Sequence, residues 1–261
     1  MASLYHKAAL FGVAFGLGLG QNPTVVGIRI EFMDAKRHSV FVTGGTGYLG
    51  RPLAAVLLER GHEVRALVRA GSEEKLPTGC QAVIGNALEG SSYADKIRPA
   101  DTFVQLVGVA HPNPSKAAEF RSVDLASARG AVLAALKSGV QHMVYVSVAH
   151  PAPMMKAYIE VRSECESMIR ESGMNATILR PWYVLGPGHR WPYALIPMYW
   201  LMECLPKTRD GALRLGLVTR EQMIRALVNA VENPCRGIRI VEVPEIRSAS
   251  GFAMSARAAC L

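Results

Sequence analysis

Ser39-Val40-Phe41-Val42-Thr43-Gly44-Gly45-Thr46-Gly47-Tyr48-Leu49-Gly50-Arg51-Pro52 runs from a short apolar segment through glycines at 44, 47 and 50 to a proline. A strand-type run, a G-x-x-G-x-x-G turn and a proline just inside a helix start form the order that a phosphate-binding turn requires. The backbone must turn sharply there and approach a pyrophosphate closely. The helix N-terminus then offers unpaired N–H groups and a partial positive charge. A tight structural turn alone would also use such glycines, so the flanks matter. They supply a helix with Leu53, Val56 and Leu57 on one face, closing at Arg60-Gly61, and then a second strand over Glu63–Val68. In that setting the turn reads as a dinucleotide site, with Gly44, Thr46, Gly47, Tyr48 and Leu49 as cofactor contacts.

Working outward, apolar runs at Ala82–Ile84, Thr102–Val107, Met143–Val146, Ala176–Leu179 and Gly237–Val243 alternate with helical stretches at Ser115–Ser138 and Tyr158–Ser172, each stopped by a glycine. Thr219, with Gln222 three residues on, has the pattern of a capping box at the start of a late helix. Strands alternating with helices at this spacing predict an α/β fold: a doubly wound parallel sheet of the Rossmann kind, with a small C-terminal substrate-covering lobe. The expected organisation is an extension over 1–36, one NAD(P)-binding domain over 37–247 with its covering segment at about 182–218, and a tail over 248–261.

The charge at the end of the second strand selects the cofactor. An NAD site places a carboxylate there, about twenty residues past the glycines, for the ribose 2′-hydroxyl. This chain has Arg69, and Arg51 directly follows the last glycine. Two guanidiniums suit a 2′-phosphate. Each is alternatively a solvated surface charge. The expectation is NADP(H), with NAD(H) second.

The 261 residues are half hydrophobic, enough for a substantial core. A net charge of +8 suits anionic partners, but no Lys/Arg block interleaved with aromatics marks a nucleic-acid surface. Five scattered cysteines and seven histidines show no CxxC or HExxH spacing, so neither a metal site nor a disulfide framework is indicated. That cysteine usage and the cofactor fit a reducing, cytoplasmic setting. Ala8–Gly20 is apolar and glycine-rich, too short to span a bilayer comfortably. It reads as an upstream extension before Met33, or alternatively as an export or anchor signal.

The combination of Thr43–Gly50, Gly85-Asn86-Ala87, Tyr145-Val146-Ser147 and Leu179-Arg180-Pro181 resembles the short-chain dehydrogenase/reductase superfamily, in its atypical or extended-like branch. NmrA-like and complex I 39-kDa-subunit-like proteins belong to that branch. The resemblance covers roughly Arg37 to Val243. It implies that Asn86 and Ala87 flank the adenine, where asparagine stands in place of the usual aspartate. It also implies that Val107, Gly108 and Val109 line the ribose and pyrophosphate, and that Pro181, Tyr183 and Val184 border the nicotinamide.

The superfamily pairs a serine with Tyr-x-x-x-Lys, the last two residues one helical turn apart. Here Ser147 and Tyr158 are present, but Arg162 stands where lysine is expected. An arginine can orient the ribose and bias the tyrosine toward its anion, yet its pKa is too high to relay protons readily. Two roles stay open for Tyr158, catalytic acid or cofactor-contacting and packing residue. Ser147 is equally a carbonyl holder, a cofactor neighbour or a cap. His111 and His150 lie on loops at the carboxyl edge. Three functions follow: an NADP(H)-dependent oxidoreductase acting on a small apolar carbonyl, a non-catalytic NADP(H)-binding sensor or assembly protein, and, less well matched, an NAD-dependent epimerase. The apolar run Ala194–Met202 reads as a lid over an apolar ligand, as a helix buried against the main domain, or as a membrane or partner contact. Monomer and homodimer are both compatible with the chain.

Overall fold

The computed structural model describes residues 36–188 and 191–249. The chain begins with β1 (Ser39–Thr43), α1 (Gly50–Glu59), β2 (Glu63–Val68), β3 (Gln81–Ile84) and β4 (Thr102–Gln105). Next come α2 (Ala117–Glu119), a six-residue π-helical segment (Phe120–Leu125) and α3 (Ala126–Ser138), continuous along one axis of chain. Then follow β5 (His142–Val146), α4 (Lys156–Glu171), β6 (Asn175–Leu179), β7 (Tyr183–Leu185), α5 (Ile196–Cys204) and α6 (Arg209–Arg214). The chain closes with β8 (Leu217–Thr219), α7 (Arg220–Glu232), β9 (Ile238–Val241) and α8 (Val243–Ser248).

Seven strands form one sheet in the order β3-β2-β1-β4-β5-β6-β9, and every pairing in it is parallel. This is the doubly wound order, with its switch point between β1 and β4. Parallel sheets are covered on both faces, and the residue alternation shows it. Phe41, Phe103, Met143, Tyr145 and Ile178 point into one core with Ala131, Ala135, Val161 and Ile169 of α3 and α4. Val40, Val42, Val104, Val144 and Leu179 point into the other with Leu53 and Leu57 of α1 and Met223 and Leu227 of α7.

The sequence-based expectation matches this sheet strand for strand and stops short in three places. The stretch read as one helix from Ser115 contains the π-helical segment, which a 3.6-residue period cannot register. β7 and β8, three residues each, pair with one another in a separate two-stranded parallel sheet that no long apolar run announces. The run read as a possible buried helix is α5, which has no buried residue at all. The capping box stands as read: the Thr219 hydroxyl oxygen accepts from the Gln222 amide at 3.1 Å, and the Gln222 side-chain oxygen accepts from the Thr219 amide at 2.8 Å. The proposed extension up to residue 35 and the tail beyond residue 249 lie outside the described residues.

Candidate cofactor and active site

The turn between β1 and α1 is dictated by what cannot fit in it. Gly44 has φ +73°, the left-handed region. A Cβ on Gly50 would lie 2.1 Å from the Gly44 carbonyl oxygen and 2.8 Å from the Gly45 Cα, so only glycine lets the helix start against the turn. The Gly47 amide donates to the Gly44 carbonyl at 2.9 Å and closes the loop. No side chain caps α1 and no acid stands in its first turn. The positive end of that helix therefore meets no protein carboxylate in its first turn, the electrostatics a diphosphate needs. Gly44 also packs on the chain after β4, where its Cβ would be 3.1 Å from the Leu106 carbonyl carbon.

The other residues expected to touch a cofactor lie after the strands or on the first turn of α1. Arg69 ends β2, and Arg51 sits on the first turn of α1. Both are exposed, and among the described residues neither guanidinium has an ion-pair partner. Asn86, exposed after β3, uses its side-chain oxygen to accept the Leu88 amide at 3.1 Å. Val107 and Gly108 continue from β4, and the Val109 amide donates to Asp124 at 3.0 Å. The Pro181 carbonyl accepts from Ala149, joining the loops after β5 and β6. Tyr183 and Val184 begin β7. Tyr48 abuts Gly186, where a Cβ would meet its phenolic oxygen, and the Arg220 guanidinium lies 5.5 Å from the Tyr48 ring. The substrate-side strand is thereby seated on the glycine turn.

α4 presents Tyr158, Arg162 and Glu166 one turn apart on one face. Tyr158 is half-buried, its ring 4.9 Å from that of Phe120 and 5.0 Å from the Arg162 guanidinium carbon. Burial raises its phenol above the ordinary value, and the opposing pull of Arg162 is smaller. Burial thus makes this phenol a weaker acid than a free one, and the expected bias toward the anion from Arg162 is outweighed. Arg162 is buried and spends both terminal nitrogens on protein, while its Nε meets no partner among the described residues. It pairs with Asp124, donates to the Val146 carbonyl at 2.7 Å, and reaches the Tyr145 hydroxyl at 3.2 Å. Burial alone would lower its pKa, but Tyr145, Tyr158 and Asp124 hold it well above the ordinary arginine value. Burial in turn raises the Asp124 carboxyl, with Arg162 and the Val109 amide opposing.

Ser147 donates its hydroxyl to Glu166 at 2.6 Å. The same buried carboxylate accepts from Arg180 at 2.9 and 2.6 Å and from Arg170 at 2.8 Å, with His150 Nε2 at 3.5 Å. Burial pushes the Glu166 pKa up, but the bonds from Arg180, Ser147 and Arg170 overcome it and bring it to about 2. Arg180 also donates to Glu242 at 2.9 Å. The ends of β5, β6 and β9 are so tied to α4 at one point. His111, with φ +50°, lies on the loop after β4.

Sequence reasoning overlooked Asp124 and Glu166. Both carried a signal: Glu166 repeats the four-residue step of Tyr158 and Arg162, and Asp124 is an acid between Val123 and Leu125 in a helix otherwise facing the core. Tyr158, Arg162 and Asp124 are brought together, whereas the described bonds turn Ser147 toward Glu166 instead.

The sequence profile of a family described as NAD(P)H-binding matches residues 44–198, from the glycine turn into α5. This chain belongs to that NAD(P)H-binding family. Its fold is shared with solved structures of low sequence identity. The WbmH enzyme of Bordetella bronchiseptica, solved with NAD+, superposes with a TM-score of 0.59 at 22% identity, over 78% of this chain and 75% of that one. Among curated proteins, ceramide reductase of Caulobacter vibrioides is 26% identical over 81% of this NAD(P)H-binding chain and 66% of its own length. Photosystem II assembly factor Ycf39 of Cyanophora paradoxa is 25% identical over 54% of this chain and 44% of its own. The chain thus spans less than two thirds of either curated relative.

Proposed function

We propose that this protein is an NADP(H)-dependent oxidoreductase that reduces a carbonyl on a small apolar substrate. The observation that carries the reading is the placement of Tyr158, its ring 5.0 Å from the guanidinium carbon of Arg162 one helical turn on, on the helix that borders the carboxyl ends of β4 and β5. The nicotinamide, when bound, supplies hydride. Tyr158, protonated at neutral pH as phenols are, donates the proton to the developing alkoxide, although burial makes it a weaker acid than a free phenol. Arg162 positions Tyr158 by packing against its ring and, through Asp124, fixes the Val109 loop that borders the cofactor. Asn86, Ala87, Val107, Gly108 and Val109 hold the adenosine side, with Pro181, Tyr183 and Val184 at the nicotinamide. Arg69 and Arg51, exposed and without carboxylate partners, bind the 2′-phosphate. The similarity to a ceramide reductase supports an apolar substrate.

A second reading rests on a specific observation. Arg162 is committed to Asp124 and Ser147 to Glu166, so two of the three superfamily positions make structural contacts. That arrangement suits a cofactor-binding protein without turnover, and the similarity to an assembly factor accords with it. NADPH oxidation over a panel of apolar ketones and aldehydes separates the two. The oxidoreductase turns over at least one of them, and Tyr158→Phe lowers kcat by about 100-fold or more while NADPH still binds. Tight NADPH binding with no turnover, unchanged by that substitution, sinks the first reading in favour of the second. For the 2′-phosphate, Arg69→Ala should weaken NADPH selectively against NADH; an unchanged preference rejects that contact.

A further inference from the structure

We infer that α5 is a docking element for the surface of an anionic phospholipid bilayer. The helix has no buried residue, and its large apolar side chains face solvent: Trp200 is 68% exposed, Leu201 55%, Met198 47% and Ile196 43%, with Leu205 following at 48%. A helix of this composition is ordinarily a core element, yet α7, of ordinary amphipathic make-up, buries seven residues while α5 buries none. These exposed apolar side chains, gathered on one short helix and spread around it, together mark a contact site.

The charge around α5 identifies the contact. Its one acid, Glu203, is neutralised by Arg247 at 2.9 Å. Lys207 and Arg209 follow directly, both exposed and neither in an ion pair among the described residues. Between residues 186 and 220 five lysines and arginines stand against two acids, in a chain of net charge +8. Apolar side chains led by a tryptophan and flanked by free cations fit the headgroup boundary of an anionic leaflet. Nine helical residues extend about 14 Å, well short of a hydrocarbon core of about 30 Å, and no described helix is long and apolar enough to cross a membrane. Contact is therefore peripheral, with the helix lying in the interface. A second copy of the chain is a poorer occupant. A stable dimer takes about 20–30 residues a side, whereas the exposed run spans the thirteen residues from Tyr193 to Leu205.

α5 belongs to the segment that leaves β7, whose start is seated on the glycine turn. A docked α5 would bring the mouth of the site to the membrane plane, where an apolar substrate partitions.

The test is co-sedimentation of the full chain with vesicles of phosphatidylcholine alone or mixed in equal parts with phosphatidylserine, at low and high salt. The wild type should bind the mixed vesicles about tenfold or more tightly than the neutral ones, with salt weakening the contact. Trp200→Ser with Leu201→Ser should lower binding about tenfold, and Lys207→Glu with Arg209→Glu should remove the preference for phosphatidylserine. NADPH affinity and melting temperature, unchanged in both variants, show that the fold survives. Failure of the wild type to bind mixed vesicles overturns the inference, as does equal binding by the serine variant. So does a mass by light scattering that reveals a dimer abolished by the serine substitutions. None of these results depends on whether the site turns over.

Discussion

Replacing Glu166 with glutamine keeps the shape of the side chain and removes its charge from beneath Ser147, Arg170 and Arg180. The size of the effect follows from the carboxylate itself. Its pKa falls from an ordinary 4.5 to about 2 when the protein folds. Each unit is worth about 1.4 kcal/mol, so this ionised group contributes on the order of 3 kcal/mol at neutral pH. The side chain is almost wholly buried, so solvent screening takes little from that figure. The variant also leaves Arg180 with Glu242 as its one remaining carboxylate. For a domain of this size the loss corresponds to a melting temperature lower by about 6–12 °C. The pH dependence fixes the cause. A depressed carboxylate stabilises fully above its unfolded value, and its contribution disappears as pH falls from about 4.5 through about 2. Urea unfolding at pH 7 should therefore separate wild type and Glu166→Gln by about 3 kcal/mol, and the gap should narrow as the pH falls below about 4.5. A gap under about 1 kcal/mol at pH 7, or one that does not change on acidification, refutes the reasoning.

Gly50→Ala places a methyl group 2.1 Å from the Gly44 carbonyl oxygen, so the turn must open. NADPH affinity, followed by fluorescence titration, should fall about tenfold or more, and Gly47→Ala, whose Cβ would lie at 3.1 Å from the same oxygen, should lose less. Equal losses would show that the turn's geometry is not what holds the phosphates. Thr219→Ala removes one half of the capping box of α7 and should cost about 1 kcal/mol, seen as a melting temperature lower by about 2–4 °C. Cofactor affinity should fall far less than in Gly50→Ala, because the cap reaches the glycine turn only through its neighbour Arg220 beside the Tyr48 ring.

The sheet was legible because each of its strands is an apolar run long enough to be seen and punctuated by glycine. The glycine turn was legible because its chemistry is local, confined to eight consecutive residues. The site around α4 is another matter. Asp124 and Arg162 stand 38 positions apart, so no local pattern in the sequence joins them. Ser147 illustrates the same limit. Its position after β5 was readable, but the direction of its hydroxyl depends on a carboxylate nineteen residues further on. For α5 the sequence left a lid, a buried helix and a surface contact open, because exposure depends on whether anything stands opposite to cover it.

The parallel sheet has a consequence for how the protein is made. No two neighbouring strands are joined by a hairpin, and β6 waits for β9 across about sixty residues of intervening chain. At ribosomal rates of about 5–20 residues per second, β6 emerges roughly 3–12 s before the strand that covers it. Throughout that interval its open edge, carrying Ala176 and Ile178, is a template for any other extended chain. Synthesis therefore exposes an edge that the finished sheet covers with β9. A chaperone that shields the β6 edge for those seconds would limit such pairing.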